Sequence, residues 1–201
     1  KIAVGPQSKG LISIEKSPTE NLDAIATATG RGVRDLTAVI LDRDRHAELI
    51  NEVRESGARI RLIPDGDVAG AIATATSDGA DVLFGIGGTP EGVISAAALK
   101  CLGGEMQGKL WPRNGSERQA ALDAGYDLDR VLNTDDLVQS DDVFFAATGI
   151  TDGELLRGVR FTAEGAISDS LVMRSKSGTV RRIEATHNIE KLSEFSSVDF
   201  T

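Results

Sequence analysis

Cys101 is the only cysteine in the sequence. One thiol can form no internal disulfide and no cysteine-rich zinc site. Histidine is nearly as scarce. His46 and His187 are the two present, far apart, which argues against a histidine-based transition-metal centre. Any metal would be a hard cation on carboxylates. Positive charge is in deficit: 22 Lys and Arg against 31 Asp and Glu leave a net charge of −9. A general nucleic-acid binder needs cationic surface to displace phosphate counterions, and a basic membrane-surface helix needs it too. Neither class fits. A small anionic ligand still does, because a few local cations suffice to hold one. No apolar run approaches the roughly 18 residues of a membrane span, and no signal-peptide pattern opens the chain. A reducing, cytoplasmic setting is expected. The opening Lys1-Ile2-Ala3-Val4-Gly5-Pro6 carries no Met and reads like the interior of a folded chain, so a fragment is expected.

What is present is ordinary for a globular domain: 40% hydrophobic and 26% charged residues over 201 positions. That length supports one α/β domain, 1–201, with a single core of useful size. Residues 11–14 read as a short strand. Ser17-Pro18-Thr19-Glu20 then opens a helix, with Ser17 as cap, Pro18 in the first turn and Glu20 three residues on; Gly30 can end it. Strands follow at 36–41, 60–63 and 82–86, with helices at 44–56, 68–76 and 90–102, the last ended by Gly103-Gly104. Strict alternation with short connections predicts a helix-covered, mostly parallel mixed sheet. The pattern then changes. Residues 109–133 are polar and Gly-interrupted. Residues 143–147 read as a buried strand. Runs at 166–174 and 179–186, joined by Ser175-Lys176-Ser177-Gly178, predict an antiparallel hairpin appended to the sheet. The tail after Asn188 is expected to fray.

Three polar clusters follow strands: Asp42-Arg43-Asp44-Arg45, Asp65-Gly66-Asp67, and Gly85-Ile86-Gly87-Gly88-Thr89-Pro90-Glu91-Gly92. In an open parallel sheet the strand C-termini share one edge, where ligands bind. Neighbouring strands would bring all three clusters to one site. The glycine cluster is no dinucleotide fingerprint, because Pro90 stands at the third glycine position; it is no P-loop, because Val93 stands where Lys is needed. A Gly-rich turn into a helix start still lets backbone N–H groups approach an anion. Glu91 in the first helical turn complements the dipole and could hold a divalent metal. Asp65 and Asp67, two apart in extended chain, would face one ligand; alternatively Pro64-Asp65-Gly66 is a turn and Asp67 caps the next helix. Arg43 and Arg45 offer guanidinium forks for phosphate, or Asp44 simply caps an exposed helix start. Cys101, His46 and His187 read as packing or surface residues.

The runs Ile63-Pro64-Asp65-Gly66-Asp67-Val68-Ala69 and Gly85-Ile86-Gly87-Gly88-Thr89-Pro90-Glu91-Gly92-Val93 closely resemble the class II fructose-1,6-bisphosphatases. So do Val4-Gly5-Pro6, Ala147-Thr148-Gly149-Ile150-Thr151 and Arg181-Arg182-Ile183 with His187, so the resemblance runs in order along the chain. The family belongs to the metal-dependent, lithium-sensitive sugar and inositol phosphatases. The resemblance implies hydrolysis of the 1-phosphate of fructose 1,6-bisphosphate, Mg²⁺ or Mn²⁺ as cofactor, and a place in gluconeogenesis. It assigns Glu91 as metal ligand, Gly88 as a substrate contact, Asp65, Gly66 and Asp67 to the sugar, and Arg43, Asp44 and Arg45 to the distal phosphate. In that last triplet Arg replaces the family's Lys and Asp its Pro. The remaining metal carboxylates, the catalytic threonine and a substrate tyrosine lie upstream of Lys1 in the family, so no catalytic residue is expected within 1–201. The chain then reads as the C-terminal, substrate-holding half of the enzyme. Its expected partners are the sugar bisphosphate, the N-terminal half and further copies of itself, as a homo-oligomer. The alternatives are a related sugar or inositol phosphatase, such as one accepting sedoheptulose bisphosphate, and a non-catalytic sugar-phosphate-binding module.

Overall fold

The computed structural model describes residues 1–76, 79–163 and 165–194. The strands are β1 (Ile2–Val4), β2 (Thr37–Leu41), β3 (Arg59–Ile63), β4 (Val82–Phe84), β5 (Glu105–Gly108), β6 (Leu132–Asn133), β7 (Phe144–Thr148), β8 (Arg160–Thr162), β9 (Gly165–Arg174) and β10 (Thr179–His187). The helices are α1 (Pro18–Thr29), α2 (Ala47–Glu55), α3 (Asp67–Ala73), α4 (Thr89–Leu102), α5 (Gly115–Asp123), α6 (Thr134–Leu137) and α7 (Ile189–Ser193). A six-stranded sheet runs β3-β2-β4-β1-β5-β6. β2 is parallel to β3 and β4, whereas β1 is antiparallel to β4 and β5, and β6 to β5. β2, β3, β4 and β5 therefore point one way, and the sheet is mixed with parallel strands in the majority.

Alternation along the central strands builds two cores. Ala38 and Ile40 of β2, with Ile2, Val4, Val82 and Phe84, pack on Leu22 and Ile25 of α1 and Ile50 and Val53 of α2. Val39 and Leu41, with Ala3 and Leu83, pack on Ala71 of α3 and Ala96 and Leu99 of α4. α1 and α2 thus cover one face, α3 and α4 the other. A third cluster joins Ile72, Ala98 and Cys101 to Phe145, Leu171 and Met173 of a second sheet and to Leu156 of the loop between β7 and β8. The layers are helices, sheet, helices, sheet. Burying each Ile or Leu contributes roughly 1.5–3 kcal/mol, so these faces drive folding while local signals set where each element starts and stops. Residues 17–30 show the local part. The Ser17 hydroxyl accepts from Glu20 N at 3.2 Å, Glu20 Oε2 accepts from Ser17 N at 2.8 Å, and Gly30 closes α1 at φ 66°.

The structure departs from the sequence expectations in four places. Residues 11–14 are a loop, and the first strand is β1. Side chains hold the backbone groups that a neighbouring strand would need. Ser13 N donates to Asn21 Oδ1 at 2.8 Å, Ile14 N donates to Gln107 Oε1 at 2.9 Å, and Ile12 O accepts from Gln107 Nε2 at 3.2 Å. Next, β7 is half-buried: Phe145 is 7% exposed but its neighbour Phe144 64%. It presents one face to α4 and the other outward. The β9–β10 hairpin forms as expected, with Gly178 at φ 59° in its turn, but it does not extend the main sheet. It centres a second, antiparallel sheet in which β9 also pairs with β7 and β8. Lastly, the expected frayed tail opens with α7, capped by Asn188 Oδ1 accepting from Lys191 N at 3.0 Å; 195–201 lie outside the described residues. No helix among the described residues is long and apolar enough to cross a membrane.

Ser17→Ala removes the hydroxyl half of the capping box and should cost about 1 kcal/mol. For a domain of this size that is a melting-temperature drop of roughly 2–4 °C, measurable by calorimetry. An unchanged melting temperature would show that the cap is not needed.

Candidate active site

β2 and β4 are neighbours, yet their exits diverge. From β2 the chain passes through α2 over one face to β3; from β4 it passes through α4 over the other face to β5. Adjacent parallel strands with opposite exits leave a crevice at their C-terminal ends, the usual ligand position in open α/β sheets. The loop after β3 joins the same rim, where Asp42 N donates to Ile63 O at 2.9 Å. All three polar clusters therefore lie on one edge, as the sequence predicts.

The loop after β2 makes one short 3₁₀ turn, Asp44–His46, before α2. Arg43 and Asp44 are exposed on the rim, and Arg43 Nη1 donates to Asp42 O at 2.9 Å. Asp44 stands inside this turn rather than capping it. Arg45 reaches across the crevice, its Nε and Nη2 both donating to Ile86 O at 3.1 and 2.9 Å. His46 is fully buried; its Nδ1 lies 2.8 Å from Leu41 O, and Ile86 N donates to its Nε2 at 2.8 Å.

The Asp65-Gly66-Asp67 motif is not extended. Gly66 adopts φ 90°, ψ 48°, a left-handed conformation that glycine enters without strain. The kink corrects the expectation of an extended motif and sets the two carboxylates apart in burial. Asp65 is exposed. Asp67 is buried in the first turn of α3 and forms an ion pair with the buried Lys1 ammonium. It does not cap the helix; Gly66 holds that position.

The glycine turn runs between these groups. Gly85 N donates to Lys1 O at 3.0 Å and Lys1 N to Gly85 O at 2.8 Å, extending the β1–β4 ladder by one residue pair. A Cβ on Gly87 would collide with Asp67 and Lys1, and one on Gly88 would collide with the Glu91 carboxylate. These two glycines are exposed and bring bare backbone to the rim. No side chain caps α4, whose N-terminal N–H groups and dipole face the same edge. Glu91 is exposed in its first turn and folds back over Gly88. Mg²⁺ wants near-octahedral oxygen coordination, but no group of three His, Cys, Asp or Glu side chains converges among the described residues. Glu91 fits one ligand position of a hard cation; the side chains of the described residues do not complete a site. Cys101 is core as expected, its thiol pushed up by burial, with Sγ 3.6 Å from Val143 O. His187 lies on the second sheet, Nε2 2.8 Å from Ser168 Oγ.

Two site residues escaped the sequence reading. Lys1 immediately precedes β1, an antiparallel strand whose start lies at the edge where its neighbour β4 ends. Its register, Ile2 opposite Phe84, was the missing signal. His46 reads from sequence as a packing residue, and nothing in its spacing marks Ile86 as its partner.

The pattern of the bacterial, glpX-encoded fructose-1,6-bisphosphatases matches residues 1–187. The chain is 44% identical over 201 residues to a protein of Synechococcus sp. (strain JA-3-3Ab) named D-fructose 1,6-bisphosphatase class 2/sedoheptulose 1,7-bisphosphatase. It is 44% identical over 202 residues to a protein of the same name from Synechocystis sp. (strain ATCC 27184 / PCC 6803 / Kazusa). Each match takes in 93% of this chain but only 58% of the relative's length. The convergence of the three loops and the match along nearly the whole sequence agree: the chain belongs to the bacterial, glpX-encoded fructose-1,6-bisphosphatase family.

Proposed function

We propose that this chain holds the substrate in a metal-dependent sugar bisphosphatase that converts fructose 1,6-bisphosphate to fructose 6-phosphate and serves gluconeogenesis. Sedoheptulose bisphosphate is a second candidate substrate, since the relatives carry both names. The observation that carries this reading is the crevice between β2 and β4, where Arg45, the Asp67–Lys1 pair, the bare glycine turn and Glu91 share one rim. In hydrolysis a water oxygen bonds to phosphorus, the P–O bond to C1 breaks, and the sugar oxygen leaves with a proton.

Each residue then has a task. Arg45 spends its Nε–Nη2 edge on Ile86 O, so Nη1 and the nearby Arg43 are the donors for the distal phosphate. The exposed Asp65 accepts from sugar hydroxyls. Asp67, anchored by Lys1, holds the floor of the sugar site. Gly87 and Gly88 let the substrate approach backbone N–H groups, and Glu91 supplies this chain's one ligand to Mg²⁺ or Mn²⁺. When bound, the metal neutralises phosphate oxygens and activates a water. Positioning by the rim lowers the entropic cost of that encounter. The incomplete ligand set calls for further carboxylates from outside the described residues, the role assigned to the N-terminal half.

Glu91→Gln in the whole protein should leave the fold intact, because the side chain is exposed. Metal assistance contributes several kcal/mol to such reactions, so turnover at fixed Mn²⁺ should fall about 100-fold or more. Wild-type turnover with unchanged metal dependence would remove Glu91 from the ligand set. Arg45→Ala should lose a charge-assisted phosphate contact of roughly 1.5–3 kcal/mol, about tenfold to somewhat over a hundredfold in binding. KM for a bisphosphate should therefore rise far more than KM for a substrate lacking the distal phosphate; equal effects would contradict the assignment. Residues 1–201 alone, incubated with fructose 1,6-bisphosphate and Mn²⁺, should release no measurable phosphate. Robust release would mean that Asp65, Asp67 and Glu91 make a complete metal centre.

A further inference from the structure

Ile86 is the first residue of the glycine turn beyond the β1–β4 ladder, and its main-chain N–H and C=O are both held by side chains from the loop after β2. Its N–H donates to His46 Nε2 at 2.8 Å, and its C=O accepts the Arg45 fork at 2.9 and 3.1 Å. The imidazole lies against Gly85, where a Cβ would sit 3.9 Å from its ring. A main-chain amide can only donate, so Nε2 carries no proton. A carbonyl can only accept, so Nδ1, 2.8 Å from Leu41 O, carries one. The buried ring therefore bridges the end of β2 to the turn that leads into α4.

We propose that His46, as the neutral imidazole protonated on Nδ1, is the positioning residue of this site: it fixes the Ile86 main chain and through it the turn that carries Gly88 and Glu91. An apolar residue of similar volume would leave the Ile86 N–H and the Leu41 carbonyl without partners at a buried spot. The turn would then be free to shift, and Glu91 moves with the first turn of α4.

Two substitutions separate this role from simple packing. The side-chain oxygen of Gln can stand where Nε2 does and accept from Ile86 N. The side-chain nitrogen of Asn reaches only the Nδ1 position and donates to Leu41 O. Gln is also nearer to His in volume, so fold stability ranks the two variants alike under either role; the roles separate at the Ile86 amide and the Mn²⁺ requirement, which move together only if the turn is positioned by His46.

The test uses the whole protein, wild type, His46→Gln and His46→Asn, with thermal unfolding of each as a control. In the wild type, the ¹⁵N spectrum of the imidazole should show a protonated Nδ1 and a bare Nε2. In His46→Asn, hydrogen exchange at the Ile86 amide should accelerate about tenfold or more, the scale of one lost hydrogen bond. The Mn²⁺ concentration giving half-maximal turnover should rise by a similar factor, with a smaller change in KM. In His46→Gln both quantities should stay closer to wild type. The proposal fails if Nε2 is protonated, if Ile86 exchanges equally in the two variants, or if Ile86 is freed while the Mn²⁺ requirement is unchanged. The Mn²⁺ readout rests on the functional reading above. A wild-type protein without metal-dependent bisphosphatase turnover would sink that reading, and the imidazole spectrum and Ile86 exchange would still decide whether His46 holds the turn.

Discussion

The pairing of β2 with β4 puts side by side two parallel strands whose chains leave over opposite faces of the sheet. Helices cannot fill the space between such exits, so the following loops stand apart and must be tied to each other by side chains. Arg45 and His46 make that tie to Ile86. The Asp67–Lys1 pair makes a second one between α3 and the start of β1. The His46 side chain and the Asp67–Lys1 pair are polar and buried, which fixes geometry: a buried donor or acceptor deprived of its partner costs more than the bond itself contributes. The glycines between the ties are where main chain can meet a ligand without obstruction.

The middle of the chain was legible because its signals are local. Ser17 and Glu20 cap, Gly30 and Gly103 stop, and apolar runs of strand length alternate with helices. The common edge of the three polar clusters followed from that alternation alone. Long-range effects were not legible. Residues 11–14 have strand-like composition, but Asn21 and Gln107 occupy their backbone groups. Ile2–Val4 is too short to announce itself and gains its place only by entering between β4 and β5. The unequal burial of Asp65 and Asp67 hangs on one positive φ at Gly66, where a sequence shows only permission for such a turn. Lys1 became a site residue only once the antiparallel sense of β1 was known.

The second sheet explains the composition of α3 and α4. Both helices are packed between two sheets, so neither can carry the one-sided pattern of a surface helix. Small residues let them sit close. Gly70 lies against Leu83, Ile63 and Val39, where a Cβ would come within 3.2 Å of two of these side chains and closer to the third. Ala98 and Cys101 of α4 meet Phe145 and Met173 on the far side. The rim that carries Glu91 therefore stands on a helix held from both sides, a rigid base for a residue whose task is position.

The insertion of β1 also orders events during synthesis. β1 is made before both of its partners, which lie far along the chain: Ile2 sits opposite Phe84 on one side and Gln107 on the other. β2 and β3 can pair and dock α2 as soon as they emerge, whereas the gap between β4 and β5 has no occupant except a segment made long before. Such distant closure is paid in chain entropy before any contact is gained. Until β5 is made, the nascent chain exposes the apolar edges of an unfinished sheet, and this is the interval in which a chaperone has most to protect.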